Sequence, residues 1–269
     1  MKRIIHKLIL VAISIAFISS CSPVNSNIKQ PTENQKKIRL ALIQYEMARN
    51  IILHKDYKNL SQAFTYLNQA KKVLNNDPRV YYMLAIAYKM RKNLDKYEEN
   101  LKRAIQINPN FFDAYNGLGI YYFEKGQYKK ALEIFTKLIN NPLYPGADVA
   151  FFNRSRVYLK LKNIKAAEDD LKSAIIFSNY SNKLYYKNLI SIQMANREYI
   201  KALETLMEME NRIGQSCYTI TTKALCFIKL RDFKRAKDEL NKIKDVSSPC
   251  ALKKIKLLEE IEDDNNTNN

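Results

Sequence analysis

The apolar positions of this chain recur over a distance far longer than one helical turn. Tyr81, Leu84, Tyr88, Leu101 and Ala104 return 34 residues later as Tyr115, Leu118, Tyr122, Phe135 and Leu138. A shift of 36 then gives Phe151, Tyr158, Ala167, Leu171 and Ala174, and one of 35 gives Tyr186, Leu189, Ala202, Leu206 and Met209. A last shift of 34 gives Ile220, Ala224, Phe227, Ala236, Leu240 and Ile243. A helical hairpin of this length cannot bury its apolar face alone, so neighbouring units must stack into an all-α solenoid with an extended concave surface. Such surfaces bind chains; they rarely catalyse.

Small and aromatic positions narrow the unit. Residues 112–145 carry Tyr115, Leu118, Gly119, Tyr122, Gly126, Tyr128, Ala131 and Phe135, with Gly119 and Ala131 where two helices cross closely. Pro109 follows the preceding helix, where a residue without an N–H can end it. These marks resemble the tetratricopeptide repeat, which implies a right-handed solenoid of about six helical hairpins plus a capping helix. Tyr97 puts a ring where that pattern expects Ala, so its hairpin should be splayed or locally repacked. Arg154 replaces an apolar residue and is expected to turn toward the groove. Residues 36–75 form an irregular first unit, with Gln62 to Ala70 in its second helix and a longer turn near Lys55 to Lys58. Residues 249–262, including Ala251, Ile255, Leu257, Leu258 and Ile261, read as an amphipathic cap. The repeat domain thus spans 36–262, and 263–269, which has no apolar residue, is expected to be disordered.

The other end carries an address. Lys2, Arg3 and Lys7 precede the apolar run Leu8 to Ile18, which leads into Ser19, Ser20 and Cys21. The run is shorter than the roughly 18 to 20 apolar residues of a spanning helix. It resembles the signal peptide of bacterial lipoprotein precursors, residues 1–20, ending in a lipobox. That resemblance implies diacylglyceryl transfer to the Cys21 thiol, cleavage before it and acylation of the new amino terminus, an effectively permanent anchor. Ser22, where an Asp would favour the inner membrane, points to the periplasmic face of the outer membrane. Residues 21–35 then comprise the lipidated cysteine and a tether reaching on the order of 20 Å as a flexible coil.

The formal net charge of +18 falls to +15 without residues 1–20, which hold three Lys/Arg and no acid. A basic chain invites nucleic acid, but export removes that partner. Anionic headgroups, an acidic protein surface, an acidic wall polymer or plain solvation of helix faces remain. Beyond residue 20 the one histidine is His54, near the end of the first helix, and there is no Gly-rich phosphate loop, His-Glu-x-x-His or Cys-x-x-Cys pattern. Glu98-Glu99 and Asp169-Asp170 are adjacent on helices, point in different directions and read as solvated surface. No catalytic residue, metal, cofactor or small-molecule substrate is expected.

Cys217, Cys226 and Cys250 accompany Cys21. Cys217 and Cys226 sit nine residues apart on one helix, about 13 Å by helical rise, and cannot pair without unwinding it. Cys217 and Cys250 open successive first helices, where an oxidising compartment could clip the last repeat to the cap. Buried free thiols are the alternative, and Cys226 reads as core.

Stacked first helices line the inner surface, and the residues beside their packing positions face it. In register these are Tyr82, Ile86 and Lys89; Asn116, Ile120 and Phe123; Phe152, Arg156 and Leu159; and Lys187, Ser191 and Met194. An apolar, aromatic groove with a basic rim suits an extended or helical protein segment docked through apolar anchors and steered by charge.

The lipobox, the tether and the link Asn140-Asn141-Pro142-Leu143-Tyr144-Pro145, followed by Ala150 and Asn153, together resemble the type IV pilus assembly lipoproteins. Those are outer-membrane pilotins that help the pilus secretin insert and assemble. The resemblance covers roughly residues 36–210 and implies a secretin partner gripped in the groove. A general envelope adaptor recruiting cell-wall enzymes is the alternative.

Overall fold

The described part of the chain, residues 31–245 and 248–266 of a computed structural model, contains thirteen α-helices and no strand. They form six hairpins: α1 (Glu33–Leu53) with α2 (Leu60–Val73), α3 (Pro78–Met90) with α4 (Leu94–Ile107), and α5 (Phe112–Glu124) with α6 (Tyr128–Ile139). Then come α7 (Ala147–Lys160) with α8 (Ile164–Phe177), α9 (Lys183–Ala195) with α10 (Tyr199–Ile213), and α11 (Cys217–Lys229) with α12 (Phe233–Leu240). The last helix, α13 (Pro249–Asn266), packs on α11 and α12. The expected signal peptide, Cys21 and residues 267–269 lie outside the described residues.

Two boundaries shift. Helix α1 starts inside the expected tether because Thr32 and Gln35 form a reciprocal capping box, 3.3 Å and 2.8 Å. Helix α13 runs past residue 262 to Asn266, so Asp263 to Asn266 are helical rather than disordered. Adding a residue to an existing helix gains a backbone bond without a new nucleus, which carries the helix beyond its last apolar residue.

One turn geometry closes every hairpin. Lys55, Lys92, Gly126, Lys162, Arg197 and Arg231 all take positive φ, between 53° and 71°. The next N–H reaches back five residues, as Asn93 does to Tyr88 (2.9 Å) and Gln127 to Tyr122 (2.8 Å), which stops the first helix. These six residues give the structural register, with spacings of 37, 34, 36, 35 and 34. Five of them carry side chains in a region that disfavours L-residues by about 1 kcal/mol.

The repeated residues are the core. Ala131, Ala167, Ala202 and Ala236 are fully buried at one position of the second helices, and Phe135, Leu171, Leu206 and Leu240 follow one turn later. A Cβ on Gly119 would lie 2.6 Å from Phe135 Cε1, so glycine is required for this crossing. Gly119→Ala gains roughly 1 kcal/mol in helix propensity but overpacks a wedged ring, and a net loss of about 1–3 kcal/mol is expected by urea denaturation. An unchanged midpoint would refute the close crossing.

Tyr97 takes the alanine position in α4, and the hairpin is repacked rather than splayed. The ring is buried and meets Tyr121 edge-on, and its hydroxyl donates to the Gly117 carbonyl at 3.2 Å. A Cβ on Gly117 would come within 3.0 Å of that hydroxyl, so the missing side chain on α5 compensates the extra one on α4.

Arg154 does not face the groove. Its Nε and Nη2 donate to both oxygens of Asp170 (2.8 and 2.7 Å) on α8, Nη1 donates to Thr136 on α6 (3.0 Å), and Phe151 and Tyr158 flank the guanidinium. Asp170 is therefore buried rather than solvated, since a charge held among packed helices needs its counterion there. Glu98 is likewise half-buried and accepts from Tyr122 (3.0 Å).

Candidate functional site: the inner face of the first helices

The second, third and fourth hairpins present the same three inner positions ahead of their turns. Tyr82, Ile86, Lys89, Asn116, Ile120, Phe123, Phe152, Arg156 and Leu159 are all half-buried, as lining residues should be. The register extends to Tyr45 and Arg49 on α1, hidden from a 34-residue search by the 37-residue first spacing.

The middle of the groove is organised around Arg156. Its guanidinium lies 4.7 Å from the Phe123 ring and 6.0 Å from that of Phe152. Nη1 donates to Asn153 Oδ1 at 3.4 Å, and Asn153, buried, donates in turn to Asn116 Oδ1 at 3.0 Å. Among the described residues no carboxylate lies within ion-pair distance of Arg156. Two aromatic faces thus hold a cation without neutralising it, and a guanidinium retains planar donors for a carbonyl or carboxylate. Phe152 also meets Tyr185 at 5.1 Å, and the Tyr185 hydroxyl donates to Asp148 Oδ2 at 3.0 Å. Burial first, then Asp148, raises the Tyr185 pKa, so the phenol stays a donor.

Other expected groove residues are partly engaged. Lys89 lies 3.4 Å from Glu124 and over the Tyr97 ring, Lys187 lies over Tyr218 at 4.8 Å, and Met194 packs on Cys226. Ile86 and Ile120 pack against the core as floor. Toward the amino-terminal end a cavity of about 510 Å³ is lined by Tyr45, Arg49, Arg79, Tyr82, Phe111 and Asp113. Burial and then Asp113 push the Tyr82 phenol up to about 12, keeping it neutral. The link Asn140 to Gly146 is ordered: the Tyr144 ring packs at a tilt against Phe112 at 5.2 Å, and a Cβ on Gly146 would strike the Tyr144 hydroxyl at 2.8 Å.

At the far end Cys217 on α11 and Cys250 on α13 are joined as a disulfide, with Cα atoms 5.8 Å apart. Cys226 is buried, and burial pushes its thiol up to about 12. His54 caps α1, its ring Nδ1 2.9 Å from the Asn50 carbonyl.

Tetratricopeptide-repeat family models match residues 78–111 and 100–133. Among curated proteins, RNA polymerase II-associated protein 3 of Rattus norvegicus is 32% identical over 93 residues, 31% of this chain and 13% of that protein. The small glutamine-rich tetratricopeptide repeat-containing protein 2 of Saccharomyces cerevisiae is 30% identical over 87 residues, 32% of this chain and 24% of that protein. The chain thus spans less than a quarter of these relatives' length. Two solved structures share the fold over most of the chain. Pseudomonas aeruginosa pilF superposes with a TM-score of 0.61 at 16% identity, covering 84% of this chain and 99% of that one. PilW, a type IV pilus biogenesis factor, gives 0.59 at 18% identity, covering 79% and 96%. The described residues form an all-helical solenoid of the tetratricopeptide-repeat type.

Proposed function

We propose that the protein is a scaffold anchored by acylated Cys21 to the periplasmic face of the outer membrane, where its groove holds a segment of the type IV pilus secretin during assembly. The observation that carries the binding reading is Arg156, uncompensated and positioned between Phe123 and Phe152 beside the Asn116–Asn153 amide pair. Aromatic rings offer apolar anchors, the amides suit main-chain groups, and the guanidinium suits an acidic side chain or a carboxyl end. The similarity in fold to pilF and PilW supports a pilus role, and the lipobox supports the membrane address.

Capture from detergent-solubilised envelopes tests it. Secretin is expected with the wild-type bait, and Arg156→Ala or Phe152→Ala is expected to weaken its binding about tenfold or more, roughly 1.4 kcal/mol, with little change in Tm. Peptidoglycan hydrolases or synthases without secretin would replace this reading with the envelope-adaptor one. A large fall in Tm with unchanged affinity would return both residues to the core.

A further inference from the structure

The two edges of the solenoid differ sharply in charge. All hairpin turns lie along one edge and carry Lys55, Lys58, Arg91, Lys92, Lys125, Lys162, Arg197 and Arg231 against three acids, Asp56, Glu198 and Asp232. The five links on the opposite edge that join successive hairpins, 74–77, 108–111, 140–146, 178–182 and 214–216, contain no Lys or Arg, and the link to the cap adds Lys242 and Lys244 at one end only. Lys55, Lys92, Lys162 and Arg197 make no ion pair among the described residues.

Stability explains only part of this placement: cations just past the carboxyl ends of the first helices meet the helix dipole favourably, but their backbone positions do not favour them. Five of the turn cations, Lys55, Lys92, Lys162, Arg197 and Arg231, occupy left-handed positions that glycine or asparagine would fill with less strain. Lys129 and Lys165 add positive charge to the first turns of α6 and α8, against the helix dipole. Strained backbone at the turn cations and positive charge at helix amino ends recur together at one edge, the pattern expected where function overrides folding. The same edge exposes Leu53, Tyr57, Leu161 and Leu230.

We infer that the hairpin-turn edge is a docking surface for an anionic lipid bilayer. A row of cations alone would serve any polyanion. Cations interleaved with exposed leucines and a tyrosine match a headgroup layer over an apolar interior, where charge attracts and the apolar tips insert. The geometry is compatible with the proposed anchor. Helix α1, about 30 Å long, enters from the opposite edge, and residues 21–32 can extend to at most about 40 Å. The edge and an acylated Cys21 can therefore reach one membrane, with the groove held beside it.

The test uses residues 22–269, which include every described helix and all four apolar clusters but neither the signal run nor Cys21. Lys55, Lys92, Lys162 and Arg197 are changed together to Asn, which tolerates positive φ. A matched control changes Lys72, Lys172, Lys237 and Lys256, exposed on other faces, so both variants carry the same net charge. Sedimentation is measured with vesicles of phosphatidylcholine mixed with phosphatidylglycerol, and with phosphatidylcholine alone. The unaltered chain should bind the mixed vesicles only, the edge variant should bind about a hundredfold more weakly, and the control within about threefold of the unaltered chain. Equal weakening of both variants would reduce the effect to net charge and overturn the proposal, as would undiminished binding by the edge variant. Edge-dependent retention on soluble polyglutamate without vesicle binding would make the edge a polyanion site instead. None of these outcomes touches the secretin test, which turns on groove variants.

Discussion

Asp170→Ala is expected to destabilise the protein by about 3–5 kcal/mol, the range for removing one partner of a buried ion pair. The loss exceeds that of an ordinary hydrogen bond because Arg154 cannot lose its charge, and its side chain sits between Phe151 and Tyr158 on α7 and Thr136 on α6. Without Asp170 the guanidinium keeps one neutral partner, or it must leave and open a void. The double variant Arg154→Met with Asp170→Leu should recover stability to within about 1 kcal/mol of the original, since an apolar pair of similar volume removes the desolvation penalty. It would also restore the apolar residue that the repeat pattern expects at 154. Urea unfolding of the single and double variants checks both expectations. A double variant as unstable as Asp170→Ala would show that shape rather than charge governs the site.

Loss of the Cys217–Cys250 bond should be of comparable size. It closes a loop with a sequence separation of 33 residues, and loop-closure entropy assigns about 3–4 kcal/mol to a link of that length. The effect should concentrate on α11 to α13, because repeats contact only their neighbours. Cys250→Ser is expected to lower the urea midpoint of that region and make it indifferent to reductant, whereas the unaltered protein responds to dithiothreitol. Peptide mapping without reduction should find the 217–250 link and a free Cys226, whose raised pKa and burial keep it out of thiol exchange. Recovery of only free thiols would remove the bond from the account.

The fold was legible because stacking forces each hairpin to use the same residues for the same contacts. Tyr81, Tyr115 and Tyr186 are buried in equivalent places, as are Ala131, Ala167 and Ala202. The groove register was legible for the same reason, since one turn geometry fixes how far each inner residue lies from the end of its helix. Departures from the repeat were harder to read. Arg154 violates the pattern at one position, and its compensation lies 16 residues away in an acidic pair that looks like any solvated helix face. Tyr97 breaks the pattern visibly, but its remedy is a missing side chain on the next hairpin, where Gly117 follows no repeat rule. The start of α1 had a local signature in Thr32 and Gln35, obscured by the polar composition around it. Tyr45 and Arg49 were lost to a spacing of 37 rather than 34.

The two ends of the stack are finished differently. Helix α13 and a covalent bond close one end, whereas among the described residues nothing packs on the outer side of α1, where Leu42, Ile43 and Met47 are exposed. In a one-dimensional array cooperativity decays from such an end inward, so α1 and α2 should be the first unit to fray. If the lipid anchor holds the chain there while cargo pulls along the groove, tension enters through the weakest unit. Melting that hairpin would lengthen the leash without releasing the cargo, making the first repeat a mechanical fuse rather than only the first rung of the binding surface.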